Sequence, residues 1–250
     1  MLKQSNIIAL STMQNSRLQN YTIYYNNSEE YHTLKREVFT ADCYYFETEN
    51  PTPYIIDAGA HIGLSTLYFK QLFPGAEILA IEPNPGSFGL LEKNIFENQI
   101  TGVTTIQAAL SDQTGQEQLF LDETNEQWHS TASFHKGSWV GSQKTTSITV
   151  PTHTLSDFVT RPVDFLKLDI EGSEQKVLFE AKNSLHLIKE MHIEFHTHAT
   201  QSLKKLLDLL EQTHKVELYK NTTPILKEKI HKTSGLIQIR AYRRSKTKLV

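Results

Sequence analysis

From Tyr54 onward, short apolar runs alternate with stretches whose apolar residues recur at helical spacing. A run of four or five apolar residues suits a strand buried on both faces. Each run is followed by enough chain for a crossover helix, so the pattern predicts repeated βα units and a mostly parallel sheet. Strands are expected at Tyr54-Ile55-Ile56, Glu77 to Ile81, Val103 to Ile106, Phe165 to Leu168 and Met191 to Glu194. Helices are expected from Leu64 to Phe73, Phe88 to Asn98 and Gly172 to Ala181. Leu203, Leu206, Leu207, Leu209 and Leu210 then form one side of a helix suited to covering a sheet face. Two further strand-like runs, Val216 to Tyr219 and Leu236 to Tyr242, close the chain.

Two regions break the alternation. The first fifty residues read as an irregular extension packed on the core, with a helix from Glu29 to Phe39 and a short strand at Tyr44-Tyr45-Phe46. The stretch from Asp122 to Ser147 is polar and carries Trp128, His129, His135 and Trp139, ahead of a strand-like Ser147 to Pro151. It reads as a covering flap or substrate wall, or as a loop buried against the domain edge.

Composition narrows the class. The chain has 250 residues, 38% apolar and 21% charged, and no Gly/Ser- or Pro-rich linker, which fits one domain spanning 51–250 with the 1–50 extension. A net charge of -3 excludes a general nucleic-acid binder, which needs a clustered basic surface. The one basic concentration, Arg240, Arg243, Arg244, Lys246 and Lys248, reads as a solvated end. Cys43 stands alone, so no internal disulfide forms and a reducing, cytoplasmic setting is expected. No apolar run is long enough to span a bilayer, and Ile7 to Leu10 is too short for a secretory segment.

The chemistry concentrates where strands end. Tyr54 to Gly63 reads strand, acid, glycine turn, and a helix begins at once with Leu64. Gly59 allows a tight turn and close approach of backbone to a ligand, so a side chain there should fill the ligand's space; Gly63 allows helix–strand packing. Counted from Gly59, the dinucleotide fingerprint would need glycine where His61 and Leu64 stand, so a pyrophosphate cradle is not indicated. Asp57 suits a cationic ligand instead. Ala60, His61 and Thr66 belong to the same turn and helix start. About twenty residues on, Glu82 in Glu82-Pro83-Asn84-Pro85 can accept hydrogen bonds from both ribose hydroxyls. Ala109 and Ser111-Asp112 follow the third strand and could border an adenine ring, or Asp112 could simply make a turn. Asp169 and Glu171 leave the fourth strand at the same edge, and His196 and His198 follow the fifth.

Together, in this order, these segments resemble the FkbM family of methyltransferases, over roughly Leu34 to Phe195. The resemblance is carried by Ile56 to Gly63, Glu82-Pro83-Asn84-Pro85, Ala109-Leu110-Ser111-Asp112, Thr154-Leu155-Ser156-Asp157 and Leu168-Asp169-Ile170-Glu171-Gly172. The family usually has asparagine where this chain has His61 and aspartate where it has Ser156. The resemblance implies a class I methyltransferase-like Rossmann fold, a seven-stranded mostly parallel sheet whose last strand is antiparallel. It also implies S-adenosylmethionine as methyl donor and O-methylation of a small-molecule acceptor, a sugar or other secondary metabolite.

An aliphatic hydroxyl is a poor nucleophile, so a base or a metal must help remove its proton. Asp169, Glu171, His196 and His198 are the candidates, and a His-x-His pair on extended chain would point both rings to one face. A metal-free arrangement is expected, because the spacing lacks a stricter ligand pattern. Two other readings fit a strand, turn and acid: a non-catalytic nucleotide-binding module, and an NAD-dependent oxidoreductase, against which the glycine spacing argues.

Overall fold

The structure, a computed structural model, describes residues 13–122, 132–133, 145–232 and 234–244. A hairpin of β1 (Gln14–Leu18) and β2 (Tyr21–Tyr25) comes first, then α1 (Ser28–Lys35) and a π-helical turn at Arg36–Thr40. The βα units follow as β3 (Tyr54–Ala58), α2 (Leu64–Leu72), β4 (Glu77–Ile81), α3 (Pro85–Glu97) and β5 (Val103–Ile106). Next come β6 (Ala109–Ser111), β7 (Gly115–Asp122), β8 (Ala132–Ser133) and β9 (Thr145–Thr154). The chain continues with β10 (Val163–Leu168), α4 (Glu174–Glu180), β11 (Ile188–His196) and α5 (Leu203–Leu210). It ends with β12 (His214–Lys220), β13 (Thr223–Pro224) and β14 (Leu236–Arg243).

The main sheet runs β13-β12-β14-β11-β10-β3-β4-β5. The five central βα strands are parallel, and β14 inserts antiparallel between β11 and β12. This is the class I methyltransferase-like α/β fold, seven principal strands with the last reversed, extended at one edge by the two-residue β13. Strand β10 is buried at every position, as its central place between two strands and two helix layers demands. On one face Ile56, Leu166, Leu168, Met191 and Phe195 pack against Val177 and Leu178 of α4 and the leucines of α5. On the other, Ile55, Ile78 and Phe165 meet Tyr68 and Phe69 of α2. Among the described residues no helix is long and apolar enough to cross a membrane.

Three expectations change. The first fifty residues are less irregular than expected, since they contain the β1–β2 hairpin. Tyr44-Tyr45-Phe46 is not a strand; its side chains alternate, with Tyr44 and Phe46 buried and Tyr45 exposed, but it has no ladder partner. Phe46 instead stacks on Phe165, centroids 4.4 Å apart. Ala109 to Ser111 forms an edge of a second, four-stranded sheet, β6-β9-β7-β8, within which the Ser147 to Pro151 run also falls. Arg240 and Arg243 belong to β14; Arg240 is half-buried and donates to Cys43 O, whereas Arg243 and Arg244 are exposed as expected of a solvated end while donating to His186 O and His214 O. Lys246, Lys248, Ile7 to Leu10, Trp128, His129, His135 and Trp139 lie outside the described residues.

The hairpin is attached to α3 by carboxamides. Strand residues two apart rise about 6.6 Å and helix residues four apart about 6 Å, so two side chains on one helix stripe can match alternate backbone groups of a strand. Asn98 accepts from Thr22 N and donates to Thr22 O, both at 2.8 Å. Asn94 does the same for Tyr24, at 2.7 and 3.1 Å, and also donates to Ile62 O at 2.8 Å. Asn94 is fully buried, so Asn94→Ala leaves three backbone groups without partners. Urea denaturation should show a loss of about 2–3 kcal/mol; an unchanged midpoint would mean the Asn94 bonds add nothing to the attachment that Asn98 and apolar packing provide.

Candidate functional site

The carboxyl edges of β4, β3, β10 and β11 carry the candidate residues side by side. After β3 the chain turns back on itself: Gly59 N and Ala60 N donate to Ile81 O at 2.9 and 3.0 Å, so the turn closes onto the end of β4. Gly59, His61 and Gly63 all have positive φ, at +78°, +53° and +90°. The requirement for glycine differs from the one expected. A Cβ on Gly59 would lie 1.8 Å from the carbonyl oxygen of Asp169, so the missing side chain makes room for the neighbouring turn and not for a ligand. A Cβ on Gly63 would lie 2.7 Å from Leu91 Cδ1, so this residue admits α3 rather than β3.

Asp57 is fully buried, and its Oδ2 accepts from Ser65 Oγ at 2.7 Å and Thr66 Oγ1 at 2.6 Å, while Oδ1 faces Lys167 Nζ at 3.7 Å. Asp57 and Thr66 therefore brace the turn from beneath instead of presenting an open carboxylate and hydroxyl. Glu82, also buried, accepts from His61 N at 2.9 Å through one oxygen and from Asn84 N at 2.8 Å through the other. Burial nevertheless raises its pKa. Each oxygen keeps a second lone-pair direction for another donor. Asn84 caps α3 by accepting from Gly86 N, and Pro83 and Pro85 fix the segment on either side. The His61 side chain is half-buried with both ring nitrogens shielded from solvent, and Nε2 lies 3.2 Å from Glu30 Oε1, off the line of a well-formed hydrogen bond. Burial works against its charged form, but Glu30 and Glu82 outweigh it and raise the pKa.

Ala109 and Ser111 are buried within β6, where Ser111 Oγ bonds Glu117 and receives Lys176 Nζ at 3.0 Å. Exposed Asp112 borders a cleft of about 620 Å³ that Gly172, Gln175, Lys176 and Phe179 also line, a volume suited to a nucleoside or sugar.

Asp169, Glu171 and His196 converge: one ligating atom from each lies within 4.8 Å of the others. His196 Nε2 stands 3.4 Å from Glu171 Oε2, and Nδ1 lies 3.1 Å from Oε1 of the fully buried Glu174. Glu174 is held by Gly172 N at 2.9 Å and Gln201 Nε2 at 3.1 Å. Glu171 has φ +52°, and Ser133 of β8 donates to its carbonyl at 2.7 Å, so the second sheet reaches this turn. His198 does not join. The strand ends at His196, and His198 is exposed, with Nδ1 3.0 Å from Thr200 Oγ1 in its own turn.

Three neighbours escape the sequence reading. Lys167 is buried and donates to Gly59 O at 2.7 Å and toward Asp169 at 3.5 Å; a lone lysine in an apolar strand is the signal that could have marked it. Burial would lower its pKa, yet Asp169, Asp57 and Glu194 raise it and keep it charged. Glu194 and Tyr44 pair at 2.5 Å, and burial with the nearby Asp169 pushes Glu194 up to about 7. Burial likewise pushes Glu171 up to about 7, with Asp169 adding to the shift and His196 opposing it. For His196 burial opposes the charge, but Glu174 and Glu171 prevail and push it up to about 10.

The methyltransferase FkbM domain profile matches residues 57–219. "Methyltransferase 1" of Beauveria bassiana is 29% identical over 177 residues, covering 63% of this chain and 71% of that one. The "31-O-demethyl-FK506 methyltransferase FkbM" of Streptomyces tacrolimicus is 27% identical over 185 residues, covering 63% and 71%. The crystal structure of a methyltransferase FkbM from Methylobacillus flagellatus superposes with a TM-score of 0.55 at 16% identity. That match takes in 86% of this chain but only 50% of that chain, so this chain spans half of that protein's length.

Gly59→Ala should cost about 2–4 kcal/mol, because the new methyl meets a backbone oxygen and sits at positive φ. A chemical denaturation midpoint close to wild type would show that the two turns separate freely. A second outcome concerns pH. Because the pKa of His196 is raised from 6.5 to about 10 on folding, its contribution is complete below pH 6.5 and is lost as pH rises through about 10. Thermal stability should therefore fall across that interval, and His196→Gln should flatten the fall; equal slopes in both proteins would acquit His196.

Proposed function

Since the chain belongs to the FkbM methyltransferase family, we propose that it transfers the methyl group of S-adenosylmethionine to a hydroxyl oxygen of a small molecule, a sugar or another secondary metabolite. The observation that carries this reading is the row of groups at the carboxyl edge of the parallel strands, where open α/β sheets bind ligands. Glu82 ends β4, the Gly59 to Gly63 turn ends β3, and Asp169, Glu171 and His196 stand at β10 and β11. The O-methylation named for the Streptomyces relative supports oxygen as the acceptor atom.

In this reading the donor's ribose hydroxyls bond the remaining lone pairs of Glu82, and its methionine half lies along the turn at Ala60 and His61. Asp57 and Thr66 act through the turn they brace. The adenine end lies toward Asp112 and the adjoining cleft. Methyl transfer is an in-line displacement from a sulfonium, and the protein contributes chiefly by fixing acceptor oxygen and methyl carbon in attacking geometry. Asp169, Glu171 and His196 stand where the acceptor's proton is lost.

Calorimetric titration should show binding of S-adenosylmethionine and its demethylated product but not NAD. Glu82→Gln, which keeps one oxygen for the turn, should weaken the donor by about 1–3 kcal/mol, roughly 5- to 150-fold. Binding of NAD alone would overturn the reading. For the acceptor, metabolite mass spectrometry of cells with and without the protein should reveal a compound lighter by one methylene in its absence.

A further inference from the structure

We propose that Asp169, Glu171 and His196 form a binding site for a divalent transition-metal ion, of the manganese or zinc class, that holds the acceptor oxygen. Three observations converge on it. The first is spacing. With bonds of about 2.1–2.4 Å, ligands adjacent on one ion lie about 3.0–3.4 Å apart and opposed ones about 4.2–4.8 Å. The 3.4 Å between His196 Nε2 and Glu171 Oε2, and the 4.8 Å limit that encloses all three ligand atoms, fall within that pattern.

The second is the setting of the imidazole. Glu174 has no exposed surface, is fixed by Gly172 N and Gln201 Nε2, and takes Nδ1 of His196, while Gln201 Nε2 also donates to the His196 carbonyl at 2.9 Å. A buried carboxylate on the far nitrogen is the arrangement that orients a histidine to offer Nε2 to a metal. The third is chemical. Two carboxylates and one imidazole leave positions on an ion for water and a substrate oxygen; the imidazole suits zinc and the carboxylates suit manganese, which also stands above magnesium and calcium in accepting a nitrogen ligand.

Binding would displace the proton from His196. The acceptor hydroxyl, coordinated to the ion, would lose its proton to solvent as the new C–O bond forms and the C–S bond of the donor breaks. That catalytic role rests on the methyl-transfer reading; the binding is measured without acceptor or donor, so the two fail separately.

The full chain, freed of metal by chelation, is titrated with manganese chloride and with zinc chloride, followed by calorimetry and, for manganese, by loss of the free-ion electron paramagnetic resonance signal. One ion per chain is expected. Glu171→Gln and His196→Gln should each weaken it roughly 100-fold or more, and Glu174→Gln, acting through His196, about 10- to 100-fold. His198→Ala should bind as wild type. Two variants at separate ligands keep the test decisive if one fails to fold. Absence of stoichiometric binding, or binding equal in wild type and Glu171→Gln, would overturn the proposal and leave the trio as a protonated ion-pair cluster.

Discussion

The ammonium of Lys167 is the contact on which the edge of the sheet depends. Taking such a charge out of water costs several kcal/mol unless oxygens replace the water. Here they come from Gly59 O, Asp169 and Asp57, with the Tyr44 ring centroid 5.3 Å away. These partners belong to different segments, so the need to satisfy one buried cation ties the turn after β3 to the turn after β10. The same two turns meet at the missing Cβ of Gly59, against Asp169 O. Attraction at one point and steric contact at the other set the distance between the turn after β3 and the turn after β10.

Residues outside the matched family region complete that edge. Glu30 of α1 lies beside His61, and Tyr44 donates to Glu194, both from the segment before residue 57. From the opposite direction the second sheet supplies Ser133 to the Glu171 carbonyl and, through Glu117, a partner for Lys176 of α4. Carboxylates are thereby crowded at the ends of β10 and β11 with few cations among them. Burial first, and that crowding second, raise the pKa of Glu171 and Glu194, while for His196 the neighbouring carboxylates overcome the effect of burial and raise it too.

The parallel core was legible because each of its strands is a short segment built around β-branched or apolar residues and each helix repeats its own period, signals that reside within single segments. The edge residues Asp57, Glu82, Asp169 and Glu171 were legible for a related reason: a charge closing an apolar strand marks the strand's end. What those charges bond was not legible, because Asp57 looks the same in sequence whether it faces a ligand or Ser65 and Thr66. Gly59 was misread in the same way, since its constraint comes from Asp169, 110 positions away in the chain. His196 and His198 form an apparent pair only if the strand continues, and it stops at the first of them. The hairpin and second sheet are built from polar, alternating residues whose pairing depends on distant partners, as with Asn94 and Asn98, which read simply as ordinary helix-surface amides.

Those two asparagines have a consequence for behaviour in crowded solution. A two-stranded ribbon has two open margins, and the outward N–H and C=O groups of such a margin attract the strands of other molecules. On β2 that margin is occupied at Thr22 and Tyr24 by carboxamides from the protein's own α3. The helix thus acts as a surrogate strand that exposes no ladder of its own, so sheet growth stops there. The β2 margin of the ribbon is thereby closed to a second molecule by hydrogen bonds from the chain itself, which leaves β1 as its one margin not capped by α3.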